Sequence, residues 1–434
     1  MEDSTYFIHA RQLLTMPEEV ASLRAYDPRA SAAELEARER EIVGAIDDAG
    51  ISVVDGEIKW FGPWAERPKQ ADSGNVSVIE VDLATPGWVD CHTHAVFAGE
   101  RADEFVMRNA GKPYVEILEA GGGILNSVDH LRRTPTRDLA DLLVKRVFES
   151  VRVGVTALEI KSGYGLTVSD ELKSLKAIKM AADMELPCEL IPCFLGAHAV
   201  PREFRDRPDA YVDLVCNEMI PQVAEQKLAA YCDVFCDRGA FTVAQARRVL
   251  EAGKAHGLIP RIHADELTDA GAAQLAADIG ASSADHLEFT PDSAIAAMAE
   301  AGVVGVLMPA VNLFLGTTGH LAPARKLLNA GCEVAVASDF NPGSAMTQDL
   351  GMMLTLACTL YKMTPAEALR SVTIGGAKAL RRDDIGRIRV GHRANLTLLA
   401  APSMSYVPYH FGTNHVAGVI QDGQFAYWTD KIEI

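Results

Sequence analysis

PGWVDCHTHAVFAGERADEF, residues 86–105, sets two histidines, His92 and His94, one residue apart at the end of an apolar run. Residues i and i+2 point to different sides of a helix but share one face of a strand. The run follows Pro86-Gly87 and is rich in β-forming residues, so it reads as a strand, with both imidazoles on one side and Cys91 on the other. An HxH pair at a strand end can clamp a metal with two nitrogens. Alone it is weak evidence, because paired histidines are more often ordinary surface or core residues.

Seven further strand-like runs follow: VTALEIKSG at 155, ELIPCFLGAH at 189, CDVFCD at 232, LIPRIHAD at 258, SSADHLEF at 282, VVGVLMP at 303 and EVAVASDF at 333. Between them lie stretches such as DLADLLVKRVFESVRVG and VAQARRVLEAGKAHG, apolar at three- and four-residue spacing and often ending in glycine. This alternation predicts an α/β chain with a (β/α)8 barrel over 86–384; a doubly wound open sheet is the second choice. The flanks differ. AGISVVDGEIKWFG and NVSVIEVDLA near the start resemble RIRVGHRANLTLLAA and HVAGVIQDGQFAYW near the end, with turns at Asp55-Gly56 and Asp422-Gly423. Residues 1–85 and 385–434 are therefore expected to pair into one small β-sandwich domain. Residues 17–44 read as an extra solvated helix or loop.

The bulk numbers restrict partners. A chain of 434 residues is long enough for two domains. With 59 acidic against 41 basic residues the net charge is −18, which disfavours nucleic acid and anionic membrane surfaces. A small anionic substrate needs a local arginine to outweigh that field. Eight cysteines without a CxxC read as reduced thiols, the N-terminus has no basic leader, and no apolar run approaches the ~20 residues of a membrane span. A cytoplasmic protein follows; a homodimer is expected, though none of these numbers gives the oligomer.

The fifth run ends in His263, followed by Asp265 and Glu266; the sixth carries His286 and the eighth ends in Asp339. The C-terminal strand ends of a barrel converge on its active site, so all these groups would meet the HxH pair there. Any one of them could be a satisfied core group. The whole set is hard to read that way, because buried imidazoles and carboxylates are costly without partners. The glycines at 121–123 are no phosphate loop, since no Gly-Lys-Ser/Thr follows. Cys232 and Cys236 share a strand face and read as space-filling.

From 86 to 344 the stretches PGWVDCHTHAVFAGERADEF, EAGGGIL, LEIKSGYGL, PCFLGAHAVP, IHADE, ADHLE and SDFNPGS occur in order and resemble the amidohydrolase superfamily, and within it the imidazolonepropionase family. HxH and the last aspartate mark only the superfamily; EIKSGYGL, FLGAHAVP and DFNPGS are more specific. The resemblance implies hydrolysis of the cyclic amide of 4-imidazolone-5-propanoate to N-formimidoyl-L-glutamate. It implies His92, His94, His263 and Asp339 as ligands of one Zn2+ or Fe3+ per chain. No lysine occupies the fourth run, so a second ion bridged by a modified lysine is not supported.

Asp339 and His286 are both candidates for the water's proton, and His286 can instead polarise the carbonyl. Glu266 can bond the ring nitrogens. Arg101 is the expected clamp for the propionate, through a two-point carboxylate contact. Tyr164, His198, Asn341, Gly343 and Ser344 match the family's substrate-binding positions. Each has a duller reading: Arg101 can pair with Asp103 or Glu104, Tyr164 can cap a core, and Asn341 can serve the Pro342-Gly343 turn. One departure is NLFLGTTGH at 312–320, where the family is expected to be more aromatic. The rivals are another mononuclear amidohydrolase or deaminase acting on a heterocycle, which would not need Arg101, and a non-catalytic barrel scaffold, which would lose ligands.

Overall fold

A computed structural model describes residues 5–432 except 21–22, 24–26, 28, 73–75, 113–115 and 117–121. Part of the 17–44 segment and the start of EAGGGIL thus lie outside the described residues. Eight parallel strands form one sheet in chain order: β5 (Trp88–Asp90), β6 (Val155–Lys161), β7 (Glu189–Ala197), β8 (Tyr231–Cys236), β9 (Ile259–Ala264), β10 (Ser283–His286), β11 (Val304–Leu307) and β12 (Val334–Val336). They fall on the eight predicted runs. Helices fill the connections, several started by threonine caps: Thr242 and Thr364 each close a capping box with the residue three positions on.

The strands are buried on both faces, as parallel strands must be when helices cover the outside. In β6 every residue is buried. Leu158 and Ile160 belong to the apolar core, whereas the alternate residues Glu159 and Lys161 face other charged groups inside the barrel.

Strands β5 and β12 do not share a regular ladder. They meet just beyond their ends, where Thr93 bridges Phe340, the His94 amide donates to the Phe340 carbonyl at 3.0 Å and the Asp339 amide to the His92 carbonyl at 3.1 Å. Below this, Asp90 accepts the Ser338 amide at 3.1 Å and its hydroxyl at 2.6 Å. The barrel therefore closes through the segments that carry the histidines and the last aspartate.

The two ends of the chain build the second sheet. Its seven strands are β1 (Thr5–Leu14), β2 (Ala45–Val54), β3 (Glu57–Pro63), β4 (Ser77–Pro86), β13 (Leu396–Leu399), β14 (Val416–Gln421) and β15 (Gln424–Trp428), in spatial order β15-β14-β13-β4-β1-β2-β3. The predicted hairpin turns meet: the Ala394 amide donates to the Gly56 carbonyl at 2.7 Å, and the Tyr6 hydroxyl to the Gly423 carbonyl at 3.0 Å. The sandwich is one continuous sheet whose far edges come together around a separate apolar cluster of Ile8, Ile51, Ile58, Leu396 and Ile420. In the 17–44 segment, Ala32–Val43 is helical, capped by a Ser31–Glu34 box and by Gly44. Its last residues, Ile42 and Val43, are buried rather than solvated.

Candidate metal centre and its surroundings

The mouth of the barrel brings the predicted ligands together. His92 Nε2 and His94 Nε2 each lie 3.4 Å from Asp339 Oδ1, and His263 Nε2 lies 3.4 Å from His94 Nε2. All four side chains are at most 4% exposed. The opposite ring nitrogens are tied down. Asp285 faces His92 Nδ1 at 2.6 Å and Asp233 faces His263 Nδ1 at 3.1 Å. A carboxylate there takes the Nδ1–H and leaves the Nε2 lone pair for the centre of the cluster, where His92 Nε2 faces Asp339 and His263 Nε2 faces His94.

Backbone strain gathers at the same rim. His286, Leu287 and Asp339 hold φ of 81°, 76° and 51°, conformations costing about 1–3 kcal/mol each for such residues. Ladder-like bonds hold them, such as the Leu287 amide to the Ala264 carbonyl at 3.0 Å.

Burial first, and then Lys161 and the neighbouring imidazoles, keep His92 and His94 well below the usual histidine range, so both rings offer lone pairs at neutral pH. His286 differs. Burial opposes its charge, but Glu266, Asp339, Glu288 and Asp285 outweigh it and raise its pKa to about 9. Its Nε2 lies 3.7 Å from the Glu266 carboxylate.

Asp339 is oriented as well as buried. Asn341 Nδ2 donates to Asp339 Oδ2 at 2.9 Å and the Ser344 hydroxyl does so at 3.4 Å, while Asn341 Oδ1 accepts the Gly343 and Ser344 amides, each at 2.8 Å. Asn341 thus serves the turn and also fixes which carboxylate oxygen faces the histidines. Tyr164 and His198 line the same mouth: the His198 ring stacks on His94 with centroids 4.9 Å apart, and Tyr164 lies 5.4 Å from His198. The His198 Nδ1–H donates to the Gly163 carbonyl at 3.0 Å.

Arg101 takes the duller partner. Its Nε and Nη2 donate to both oxygens of Glu104, at 2.9 and 2.7 Å, and that carboxylate also accepts the Gly123 amide at 3.1 Å. One edge of the guanidinium fork is therefore used inside the chain. Nη1 has no hydrogen-bond partner among the described residues and lies beside Gly343, in a cleft walled by Phe105, Phe314, Pro342 and Met346. The short helix Pro309–Leu315 after β11 supplies Phe314, whose ring lies 5.1 Å from Phe105.

A family model described as "Amidohydrolase family" matches residues 83–426. The chain belongs to the amidohydrolase family. Among curated relatives, it is 42% identical to the imidazolonepropionase of Alkaliphilus metalliredigens over 385 residues, covering 88% of this chain and 91% of the relative. To that of Geobacillus sp. (strain WCH70) it is 44% identical, covering 87% and 90%. To that of Myxococcus xanthus it is 43% identical, again covering 87% and 90%. Within the amidohydrolases, it belongs with the imidazolonepropionases. Among solved structures, E. coli guanine deaminase superposes with a TM-score of 0.68 at 15% identity, covering 99% of this chain and all of that one. Aspergillus niger ochratoxinase superposes at 0.67 and 18%, covering 99% and 97%, so these likenesses extend to the fold alone.

The centre of this amidohydrolase fits a metal ion. His92 Nε2 and Asp339 Oδ1 are buried with no hydrogen-bond partner among the described residues, an arrangement that is costly unless a cation takes their lone pairs. The groups His92, His94, Asp339 and His92, His263, His286 each present ligand atoms within 4.8 Å of one another. Neither Asp233 nor Asp285 was assigned a role from the sequence. The available signal was period two: acids and bases at alternate positions of otherwise apolar strands, as in Glu159/Lys161 and Arg261/His263.

Gly343 is in the amidohydrolase's mouth for lack of space. A Cβ there would stand 2.1 Å from Arg101 Nη1. Gly343→Ala should push the guanidinium aside and, if Arg101 holds a substrate carboxylate, lower kcat/KM roughly ten- to a hundred-fold, as misplacing a binding group by about 1 Å does. Metal analysis should show unchanged content; a loss of ion would mean that the turn, not Arg101, had moved.

Proposed function

We propose that this amidohydrolase opens the ring amide of 4-imidazolone-5-propanoate to give N-formimidoyl-L-glutamate, at one zinc or iron ion held by His92, His94, His263 and Asp339. The observation that carries this reading is the 42–44% identity to imidazolonepropionases over 87–88% of the chain. Three nitrogens and one oxygen suit either metal. When bound, such an ion lowers the pKa of a water toward ~7 and polarises an adjacent carbonyl.

The chain's own groups then divide the proton work. In the reaction, water's oxygen joins the carbonyl carbon, the ring C–N bond breaks and a proton passes to the released nitrogen. Asp339, with Oδ2 held by Asn341 and Ser344 and Oδ1 facing the ion's place without a hydrogen-bond partner among the described residues, is oriented to take the proton of a water beside the ion. His286, set among carboxylates, is better placed to donate a hydrogen bond to the carbonyl oxygen than to act as base. Glu266, beside it, can bond the ring nitrogens. Tyr164 and His198 wall the ring, and Gly343 and Ser344 form the turn beside the propionate. Eight free thiols support a cytoplasmic setting.

Arg101 is the proposed partner of the propionate through its Nη1 edge, and it provides the test. Arg101→Met should leave metal content intact and lower kcat/KM by about 2–3 kcal/mol on imidazolone propionate. On an imidazolone lacking the propionate, the variant and wild type should turn over at similar, slow rates. Equal damage on both substrates would make Arg101 a structural partner of Glu104 only. Brisk wild-type turnover of neutral cyclic amides would refute the assigned substrate.

A further inference from the structure

Below the imidazoles, the barrel interior holds Glu159, Lys161, Asp233, Arg261 and Asp285, all with 0% exposure. The proposed chemistry uses none of them. Each of the three carboxylates grips part of the ligand set. Asp285 holds His92 and Asp233 holds His263, and Glu159 Oε2 accepts the Thr93 amide at 3.0 Å, between His92 and His94. Three acids packed this closely repel one another and would turn apart without a cation among them.

Lys161 is that cation. Its Nζ stands 2.8 Å from Glu159 Oε1, 2.8 Å from Asp233 Oδ2 and 3.9 Å from Asp285 Oδ2. Its own amide donates to the Thr93 carbonyl at 2.9 Å, so the residue also pins the HxH segment through the backbone. Arg261 does not duplicate it. Arg261 shares two of these partners, with Nη2 donating to Asp285 at 3.0 Å and to the Cys91 carbonyl at 2.8 Å and Nη1 3.9 Å from Glu159 Oε1, but it does not reach Asp233, which among the described residues forms ion pairs only with Lys161 and His263.

We propose that Lys161 is a positioning residue for the metal centre: from beneath, it aims His263 through Asp233, with His92 and the HxH backbone steadied through Asp285 and Glu159. The inference rests on the reading that an ion sits on His92, His94, His263 and Asp339.

The test is metal binding without substrate. Wild type, Lys161→Met, Asp233→Asn and the double variant are stripped with chelator. They are then titrated with Zn2+ against a chromophoric chelator, and with Co2+ to record the visible spectrum. Lys161→Met, which keeps most of the aliphatic stem, should bind Zn2+ ten- to a hundred-fold more weakly, the usual cost of losing an outer partner of a ligand, and should shift the Co2+ bands. The double variant should bind within about threefold of Asp233→Asn, because one arm has already been cut.

Wild-type affinity and an unshifted Co2+ spectrum in Lys161→Met, whatever its thermal midpoint, would make Lys161 mere packing and overturn the proposal. If that variant does not fold, the double variant decides, since a cation and an anion leave together. A further tenfold loss beyond Asp233→Asn would overturn the route through Asp233. A wild type that binds neither ion refutes the metal reading itself, a result distinct from both.

Discussion

Asp339→Asn should retain its ion and lose at least a hundred-fold in kcat. Asparagine keeps the size of the side chain and one oxygen that can face His92 and His94, now 3.4 Å from Asp339 Oδ1. It cannot take a proton. Asn341 and Ser344 both donate to Oδ2, so the substituted amide should settle with its oxygen toward one set of partners and its NH2 toward the other. Neither orientation leaves a carboxylate able to take the water's proton, and lost general-base catalysis is typically 10²–10⁴-fold. Steady-state kinetics beside metal analysis separates the outcomes. Near-normal kcat with the ion retained would move the base role to His286; loss of the ion would make Asp339 chiefly a ligand.

His263→Ala should be harsher, abolishing most metal binding and activity together. Only four ligands are proposed, and removing one imidazole also leaves Asp233 without its ring partner at 3.1 Å. A buried carboxylate deprived of a partner is itself destabilising, so the thermal midpoint should fall as well. Metal content per chain, measured on folded protein, is the decisive quantity. Full occupancy with His263 gone would rule out the proposed ligand set.

The eight runs were legible because parallel strands buried on both sides read as short apolar stretches between helical periods, and glycines and caps marked the joints. That His92, His94, His263 and Asp339 would meet was legible for a related reason: each stands at or just beyond the C-terminal end of its run. What escaped was the charged layer beneath them. Glu159 and Lys161 at i and i+2 look locally like the wet side of a half-exposed strand, and only barrel closure turns that side inward. The choice between Asp103 and Glu104 was likewise open in the sequence. The helix Ala102–Asn109 settles it, presenting Glu104 to the interior and Asp103 to solvent. Asn341 serves the turn, as its duller reading has it, and its amide also holds Asp339, a contact the sequence did not suggest.

The closure between β5 and β12 has a bearing on how the chain is born. His92 and His94 leave the ribosome almost 250 residues before Asp339, about fifty seconds at the slow end of ordinary elongation, ~5 residues per second. In that interval the nascent chain can hold at most two, then three, of the four proposed ligands, and they have no common mouth to meet in until the Thr93–Phe340 bridge forms. Reactivity is thus withheld from the growing polypeptide and arrives last, with the residues that finish the ring.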